Sequence, residues 1–439
     1  MDMACTCMHH WSNIRPPTVA SAGLQPETSN SRVLVLGGTG RVGGSTAIAL
    51  SKLSPDLHII IAGRNRSVAE LVLDVFCATF FNSITKTPNT LMYFREKGAS
   101  MVTTLGKNAE FAEVDINDVR SLESALTDVD LVVHAAGPFQ QTKNCAVLKA
   151  AIQTKTAYLD VCDDTSYALR AKSFMNAALA AKVPAITTGG NYPGVSNLMA
   201  AELVRVAKSE NKGDPERLRF YYYTAGTGGA GLTILASTFL LLGEEVIAYN
   251  KGEKIKLRPF SGMVNVDFGK GIGKKDVYLL NLPEVTSAHK VLGVPTVSAR
   301  FGTAPFVWNW TMDAMTRFLP SEVLRDRSKV QEMVRLFDPA VRAMDGYVGQ
   351  RVSIRVDLEC SGGRQTVGVF SHKRLSISVG NSAAAFALAI LEGSTQPGVW
   401  FPEEPEGIAV EARELLFQRA AQGTINFVMH KYKLTHIYA

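Results

Sequence analysis

Residues 32–43, Arg-Val-Leu-Val-Leu-Gly-Gly-Thr-Gly-Arg-Val-Gly, restrict this chain more than any other stretch. Val33 to Leu36 read as a buried parallel strand, and a helical stretch from Ser45 to Leu53 follows. Between them Gly37, Gly40 and Gly43 form a G-x-x-G-x-x-G run, and Gly38, Gly40 and Gly43 also satisfy G-x-G-x-x-G. A strand that turns sharply through glycines into a helix aims that helix's free N–H groups and positive dipole end at whatever occupies the turn. The glycines permit the tight turn, close approach of a pyrophosphate and close helix–strand packing. The flanking strand and helix separate this run from an ordinary Gly-rich loop. Gly37, Gly38, Thr39, Gly40, Arg41, Val42 and Gly43 are therefore expected to hold a dinucleotide.

The end of the next strand bears on which dinucleotide binds. Leu57 to Ala62 is a second apolar strand, followed by Gly63, Arg64, Asn65 and Arg66. A carboxylate there would grip the 2′-OH of NAD, whereas an arginine fork pairs with a 2′-phosphate. With two arginines and no acid, NADP is expected over NAD through Arg64, Asn65 and Arg66. Arg64 stacked on adenine, or left in solvent, is the alternative.

The pattern then breaks. A helix is expected at Glu96 to Leu105 and a strand at Glu110 to Asp115, with Asp115 another cofactor candidate. Residues 67–95, rich in Val, Leu, Phe and Thr, interrupt an otherwise compact connection, and long irregular loops inside domains are uncommon. They read as an atypical insertion. Alternation then resumes: helix Val119 to Leu126, strand Val129 to Ala135, helix Asn144 to Gln153, strand Ala157 to Val161, helix Thr165 to Ala181 and strand Val183 to Thr187. This rhythm predicts an α/β fold, a Rossmann-type doubly wound parallel sheet, over residues 31–200. Beyond it, Arg217 to Thr224, Arg351 to Glu359, Thr366 to His372 and Arg374 to Val379 read as strands of a largely antiparallel sheet. They predict an α+β second domain, for substrate binding or dimerisation, over 201–380. Leu232 to Leu242, Ser382 to Leu391 and Glu406 to Ala421 read as helices. Residues 381–425 are expected to return to the first domain, with 426–439 as a tail and 1–30 as a disordered or targeting segment.

Bulk properties exclude several classes. A formal charge of +6 without a long Lys/Arg block argues against a nucleic-acid partner. The longest apolar stretch, Leu232 to Leu242, is about half a membrane span. Cys5, Cys7, Cys77, Cys145, Cys162 and Cys360 show no disulfide-framework spacing, which fits a reducing compartment. No Cys/His/Asp/Glu set has zinc-site spacing, so no metal is expected.

Several motifs in order resemble the saccharopine dehydrogenase-like oxidoreductases. They are Gly37-x-x-Gly40-x-x-Gly43, Gly137-Pro138-Phe139, Tyr158-Leu159-Asp160-Val161-Cys162-Asp163-Asp164, Asn191-Tyr192-Pro193-Gly194, and Gln396-Pro397-Gly398-Val399-Trp400. The resemblance implies that Ala136, Gly137, Pro138 and Phe139 lie against the nicotinamide side of the cofactor. Plant members with a plastid address look most similar, which implies a chloroplast location. Departures stand beside the matches: Tyr192 replaces an Asp, Asn197 stands where saccharopine-forming enzymes tend to have His, and Thr142-Lys143 replace Tyr-Gly. An NAD(P)-dependent oxidoreductase is implied, with its substrate unassigned.

Hydride transfer needs one proton supplied or removed beside the nicotinamide. The carboxyl ends of the strands offer His134, Asp160, Cys162, Asp163, Asp164, Asn191 and Tyr192. Asp160 is the first catalytic candidate, with Cys162 and Tyr192 next. Asp160 also fits a capping carboxylate, Cys162 a small buried residue, His134 a core group, and Tyr192 a turn closure. Asn191, Gly194, Gly228 and Gly229 are substrate candidates; the run Gly226 to Gly231 can hold a carboxylate at a helix N-terminus or serve as a plain turn. A small-molecule substrate and NADP are thus the expected partners, with a homodimer one assembly open to the chain. Two other readings stand: a nucleotide-binding scaffold that has lost turnover, and a reductase of lipid-like substrates served by Leu232 to Leu242 and Phe301 to Trp310.

Overall fold

The computed structural model describes residues 30–63, 105, 108–211, 213–229 and 232–434. The first domain alternates β1 (Arg32–Leu36), α1 (Arg41–Leu53), β2 (His58–Gly63), β3 (Ala109–Glu113), α2 (Val119–Leu126), β4 (Leu131–His134), α3 (Ala146–Thr154), β5 (Ala157–Asp160), α4 (Thr165–Lys172), α5 (Met175–Ala181), β6 (Pro184–Ile186) and α6 (Val195–Ser209). The central strands are apolar along nearly their whole length because helices cover both sheet faces, while the edge strand β3 carries Glu110 and Glu113. β1 pairs in parallel with both β2 and β4, so the strand order reverses there. That reversal opens a crevice at the carboxyl ends of the strands, where α/β sheets bind ligands.

The second domain contains β7 (Pro215–Ala225), α7 (Leu232–Leu242), β8 (Val246–Asn250), β9 (Glu253–Leu257), β10 (Val264–Asp267), β11 (Lys274–Leu279), α8 (Pro283–Leu292), β12 (Thr296–Ala304), α9 (Phe306–Phe318), α10 (Ser321–Arg325), α11 (Arg327–Val348), β13 (Arg351–Cys360) and β14 (Arg364–His372). The chain closes with α12 (Leu375–Leu391), β15 (Gly398–Trp400), α13 (Val410–Ala420) and β16 (Thr424–Leu434). The second sheet has the order β10-β11-β12-β7-β13-β14-β16, with β8 on β12 and β9 on β8. It is antiparallel except where β12 runs parallel to β7.

Four local expectations differ from the structure. Arg374 to Val379 is the start of helix α12 and not a strand. Its Leu-Ser-Ile-Ser alternation mimics a strand, but the segment is buried nearly all round as the start of a long helix, one turn of which is tied by Ser382 Oγ donating to Ser378 O at 2.9 Å. Thr165 to Ala181 is two helices, broken where Ser173 Oγ donates to Arg170 O (2.6 Å). Residues 426–434, expected in a tail, lie in β16 and pair with β14. Residues 246–300, whose Gly-, Lys- and Pro-broken sequence predicts several strands, also contain the helix α8, and α9 to α11 fill a stretch for which the sequence predicts no element. The helix expected over 96–105 and the insertion 67–95 lie outside the described residues, apart from Leu105.

Two elements from the C-terminal part complete the first domain. Gly398–Trp400 adds a seventh strand beside β6, giving the order β15-β6-β5-β4-β1-β2-β3. α12 packs along α1, as its small residues allow: a Cβ on Gly380 would stand 2.5 Å from Ser45 Cβ and 2.7 Å from Ser45 C. No helix among the described residues is long and apolar enough to cross a membrane.

Candidate active site

The glycine turn is built backbone on backbone. Gly37 has φ +76° and its N–H donates to Ala62 O (2.9 Å), tying the turn to β2. A Cβ on Gly37 would lie 2.8 Å from Ala135 O, and one on Gly43 2.3 Å from Gly37 O. Gly40 caps α1 without a side chain, and no acid stands in the first turn. The open amides and positive helix end therefore fit a pyrophosphate. Thr39 reaches the end of β2, where a Cβ on Gly63 would meet its Oγ1 at 3.0 Å. Arg41 Nη1 donates to Gly229 O (3.1 Å), joining the turn to the second domain. Arg64, Asn65 and Arg66 lie outside the described residues. Asp115 is exposed past β3, with its Oδ1 accepting from the Asn117 amide (3.0 Å). Ala136 to Phe139 follow β4; the Gly137–Pro138 peptide is cis, and the Phe139 ring turns into the core, edge-on to His134 at 4.8 Å.

The carboxyl ends of β4, β5 and β6 are tied by Asp160. Its fully buried carboxylate accepts from Cys162 N (3.0 Å), Thr188 N (2.7 Å), Thr187 Oγ1 (2.9 Å) and Tyr158 OH (2.9 Å). Burial pushes its carboxyl up, and these donors oppose the rise. His134 lies 3.3 Å from Tyr158 OH, and burial lowers its pKa to about 4, so the ring is neutral. Cys162 is fully buried, and burial, with Asp160 adding, holds its thiol protonated. Asp164 caps α4 by accepting from Tyr167 N (2.5 Å). The structure thus places Asp160 and Cys162 inside the supporting network.

Asp163 stands differently. It is half-buried beyond β5, and burial raises its pKa to about 6, with the Gln140 and Ser237 side chains opposing and Asp164 adding. Gln140 Oε1 accepts from Ser237 Oγ at 3.1 Å, so the loop after Phe139 meets α7 of the second domain here. Glu244, just past α7, is raised chiefly by burial, and it too feels Asp164 and Asp163. Tyr192 completes this wall: its OH bonds Thr224 Oγ1 (2.7 Å), and its ring stacks on Tyr222 at 4.8 Å. Burial raises its hydroxyl, with Asp163 and Glu284 adding. Asn191 is buried, and neither its Oδ1 nor its Nδ2 has a partner in the structure. Gly194 shapes the turn before α6, with φ +132° and a would-be Cβ 2.1 Å from Gly190 O. Gly228 wedges between Thr224 and Leu375, and Gly229 sits against Gln350 and Ser376.

The structure therefore brings Tyr192, which follows Asn191 in the turn, near Asp163, and Gly229 onto Arg41. Gln140, Ser237 and Glu244 escaped sequence reasoning. Gln140 directly follows the Gly-Pro-Phe motif and had that local signal; Ser237 and Glu244 had none. Asn197 donates to Glu403 Oε1 (2.9 Å) and Ser287 Oγ (3.1 Å), a buried structural role. Among the described residues no group of three or more His, Cys, Asp or Glu could hold a metal.

Residues 33–187 match the model of the saccharopine dehydrogenase NADP binding domain. No curated protein matches the chain. Among solved structures, apo saccharopine dehydrogenase (L-Glu forming) from Saccharomyces cerevisiae matches at TM-score 0.61 and 14% identity, over 92% of this chain and 100% of that one. GenD2 from gentamicin A biosynthesis, in complex with NAD, matches at TM-score 0.39 and 14% identity over 94% of this chain and 100% of its own. A short-chain dehydrogenase/reductase from Veillonella parvula, in complex with NADP, matches at TM-score 0.20 and 14% identity over 30% of this chain and 46% of its own. The last two overlaps are too poor to carry an argument. The yeast match shows the fold, and residues 33–187, which carry the glycine turn and the doubly wound sheet, match the saccharopine dehydrogenase NADP binding domain, the part of the chain whose family the comparisons identify.

Proposed function

We propose that the chain is an NADP-dependent reductase or dehydrogenase of a small polar carbonyl or imine compound, with Asp163 handling the proton. Bound NADPH supplies a hydride to the substrate carbon. The chain's own part is the proton. As the hydride adds to the carbon, a proton on a carboxyl oxygen of Asp163 passes to the carbonyl oxygen or imine nitrogen, and the reverse direction returns it. The observation that carries this reading is the Asp163 carboxyl, half-buried at the end of β5 with its pKa raised to about 6. A carboxyl tuned toward the working pH can both give and take a proton. Tyr192, Thr224 and Asn191 supply polar groups for orienting the substrate, while Asp160 acts as a positioning residue for the strand ends.

An apolar cavity lies beside the Gly226–Thr227 turn, lined by Leu235, Phe239, Phe301 and Trp308. At about 40 Å³ it has room for a water molecule or two, which weighs against a lipid-like substrate. The chloroplast location, which rests on the resemblance to plant members with a plastid address and on residues 1–30 as a targeting segment, is part of the proposal, with a cytoplasmic location the alternative.

The test is a titration with NADPH and NADH, read by nicotinamide fluorescence, followed by turnover of Asp163→Asn on a screened carbonyl panel. NADPH should bind more tightly than NADH. The variant should keep NADPH affinity and lose about 10²- to 10⁴-fold in kcat. Unchanged turnover would remove Asp163 from the chemistry. NADPH binding with no turnover on any compound would favour the scaffold reading.

A further inference from the structure

A second cavity, of about 540 Å³, opens between the start of β13 and the turn from β14 into α12. Arg351, Lys373, Arg374 and Gln350 supply its polar lining, Gly271 and Gly349 expose backbone into it, and no acid lines it. One of the three cations is held by its side chain and a second by the turn that carries it. Arg351 Nη1 donates to Gly271 O, which fixes its guanidinium at the rim. Arg374 N donates to His372 Nδ1 (3.1 Å), setting the turn from β14 into α12. Arg374 is the N-cap of this seventeen-residue helix, which has neither a side-chain cap nor an acid in its first turn, so its positive end adds to the same place. A neighbouring arginine shows the contrast: Arg355 is neutralised by Asp357 at 2.7 Å.

We propose that this cavity binds a phosphate-type dianion, separate from the phosphates of the cofactor. Three cations without an acid match a dianion better than a single carboxylate, and guanidinium forks meet phosphate oxygens two at a time. No residue of the glycine turn lines the cavity. The two sites are still neighbours: Gln350 Oε1 would lie 2.8 Å from a Cβ on Gly229, and Gly229 O holds Arg41. An occupant therefore sits one residue away from the arginine that opens α1.

The experiment titrates the full chain, saturated with NADP, with inorganic phosphate and separately with phenyl phosphate, by calorimetry at low salt. Phosphate should bind the wild type, and Lys373→Ala/Arg374→Ala should weaken it at least about tenfold, since each charged hydrogen bond is worth more than that. Lys373→Arg should retain binding, and NADPH affinity should not move in any variant. Equal binding of phenyl phosphate identifies a phosphomonoester as the natural occupant; its exclusion identifies free phosphate. Absence of phosphate binding, an unchanged double variant, or NADPH affinity that falls with Lys373 and Arg374 would each overturn the proposal. If NADP itself failed to bind, the same comparison run on the cofactor-free chain would still decide this site independently of the oxidoreductase reading.

Discussion

Two aspartates three residues apart, Asp160 ending β5 and Asp163 in the loop after it, do different work because their surroundings differ. Asp160 is fully buried and surrounded by four donor groups, so its carboxyl holds β5 to β6. Asp163 is half-buried, and although Gln140, Ser237 and a backbone N–H lower it, burial raises its pKa to about 6. The cofactor turn has a similar residue-level contrast. A Cβ on Gly40 would meet only Gly37 O at 3.0 Å, but on Gly43 it would meet Gly37 O at 2.3 Å and Gly37 C at 2.6 Å. Backbone cannot swing aside as a side chain can. Gly43→Ala should therefore reduce NADPH affinity by at least about tenfold, with Gly40→Ala milder. Fluorescence titration, with circular dichroism to verify folding, measures this, and equal effects would contradict the packing argument.

At the scale of elements, α12 decides how the two halves of the chain meet. It lies on α1 and touches β4 and β5, so a helix far along the chain becomes part of the nucleotide domain. The contact depends on Gly380, whose Cβ would collide with Ser45 Cβ, Ser45 C and Thr46 N between 2.5 and 2.9 Å. Gly380→Ala should destabilise the protein by about 1–3 kcal/mol, the usual cost of overpacking. Because only one of those atoms is a side-chain atom, adding Ser45→Gly should recover part of the loss. Urea midpoints for the two single variants and the double variant give the coupling directly, and strictly additive effects would show that the helices are not pressed together there.

Across the whole molecule, a buried polar network joins parts of the chain that are far apart in sequence. Glu284 on α8 accepts from Tyr222 OH (2.7 Å) on β7 and Ser196 Oγ (3.2 Å) on α6, while Asn197 reaches Glu403 beyond β15. Burial raises Glu284 from 4.5 to about 7, with Glu403 adding. A carboxyl with a raised folded pKa contributes stability that is fully present below pH 4.5 and is lost as pH climbs through 7. The loss is about 3 kcal/mol. Glu284→Gln should be insensitive to this change, gaining stability relative to the wild type between pH 5 and pH 8. Urea unfolding at the two pH values checks it, and parallel shifts in both proteins would place the titration elsewhere.

The glycine turn, the parallel sheet and the nucleotide-binding domain were legible in the sequence because each depends on short-range signals. Val33 to Leu36 must be a strand to be buried on both faces, and Gly43 must be glycine to let backbone meet backbone within six residues. What surrounds the site was not legible, because it is made of distant contacts. Ser237 and Gln140 are 97 positions apart, and Asn197 and Glu403 are 206 apart. The Pro-Gly-Val-Trp motif could be read as a family mark, but only pairing with β6 makes it the seventh strand. Leu375 to Val379 has the alternation of a strand, and its burial against α1 and the sheet makes it a helix. Local periodicity and turn chemistry are properties of neighbours along the chain, so the sequence by itself determined the nucleotide-binding frame. Burial and long-range charge are properties of neighbours in space, so only the tertiary structure decided which aspartate is tuned, which helix closes the domain, and where three cations gather without an acid.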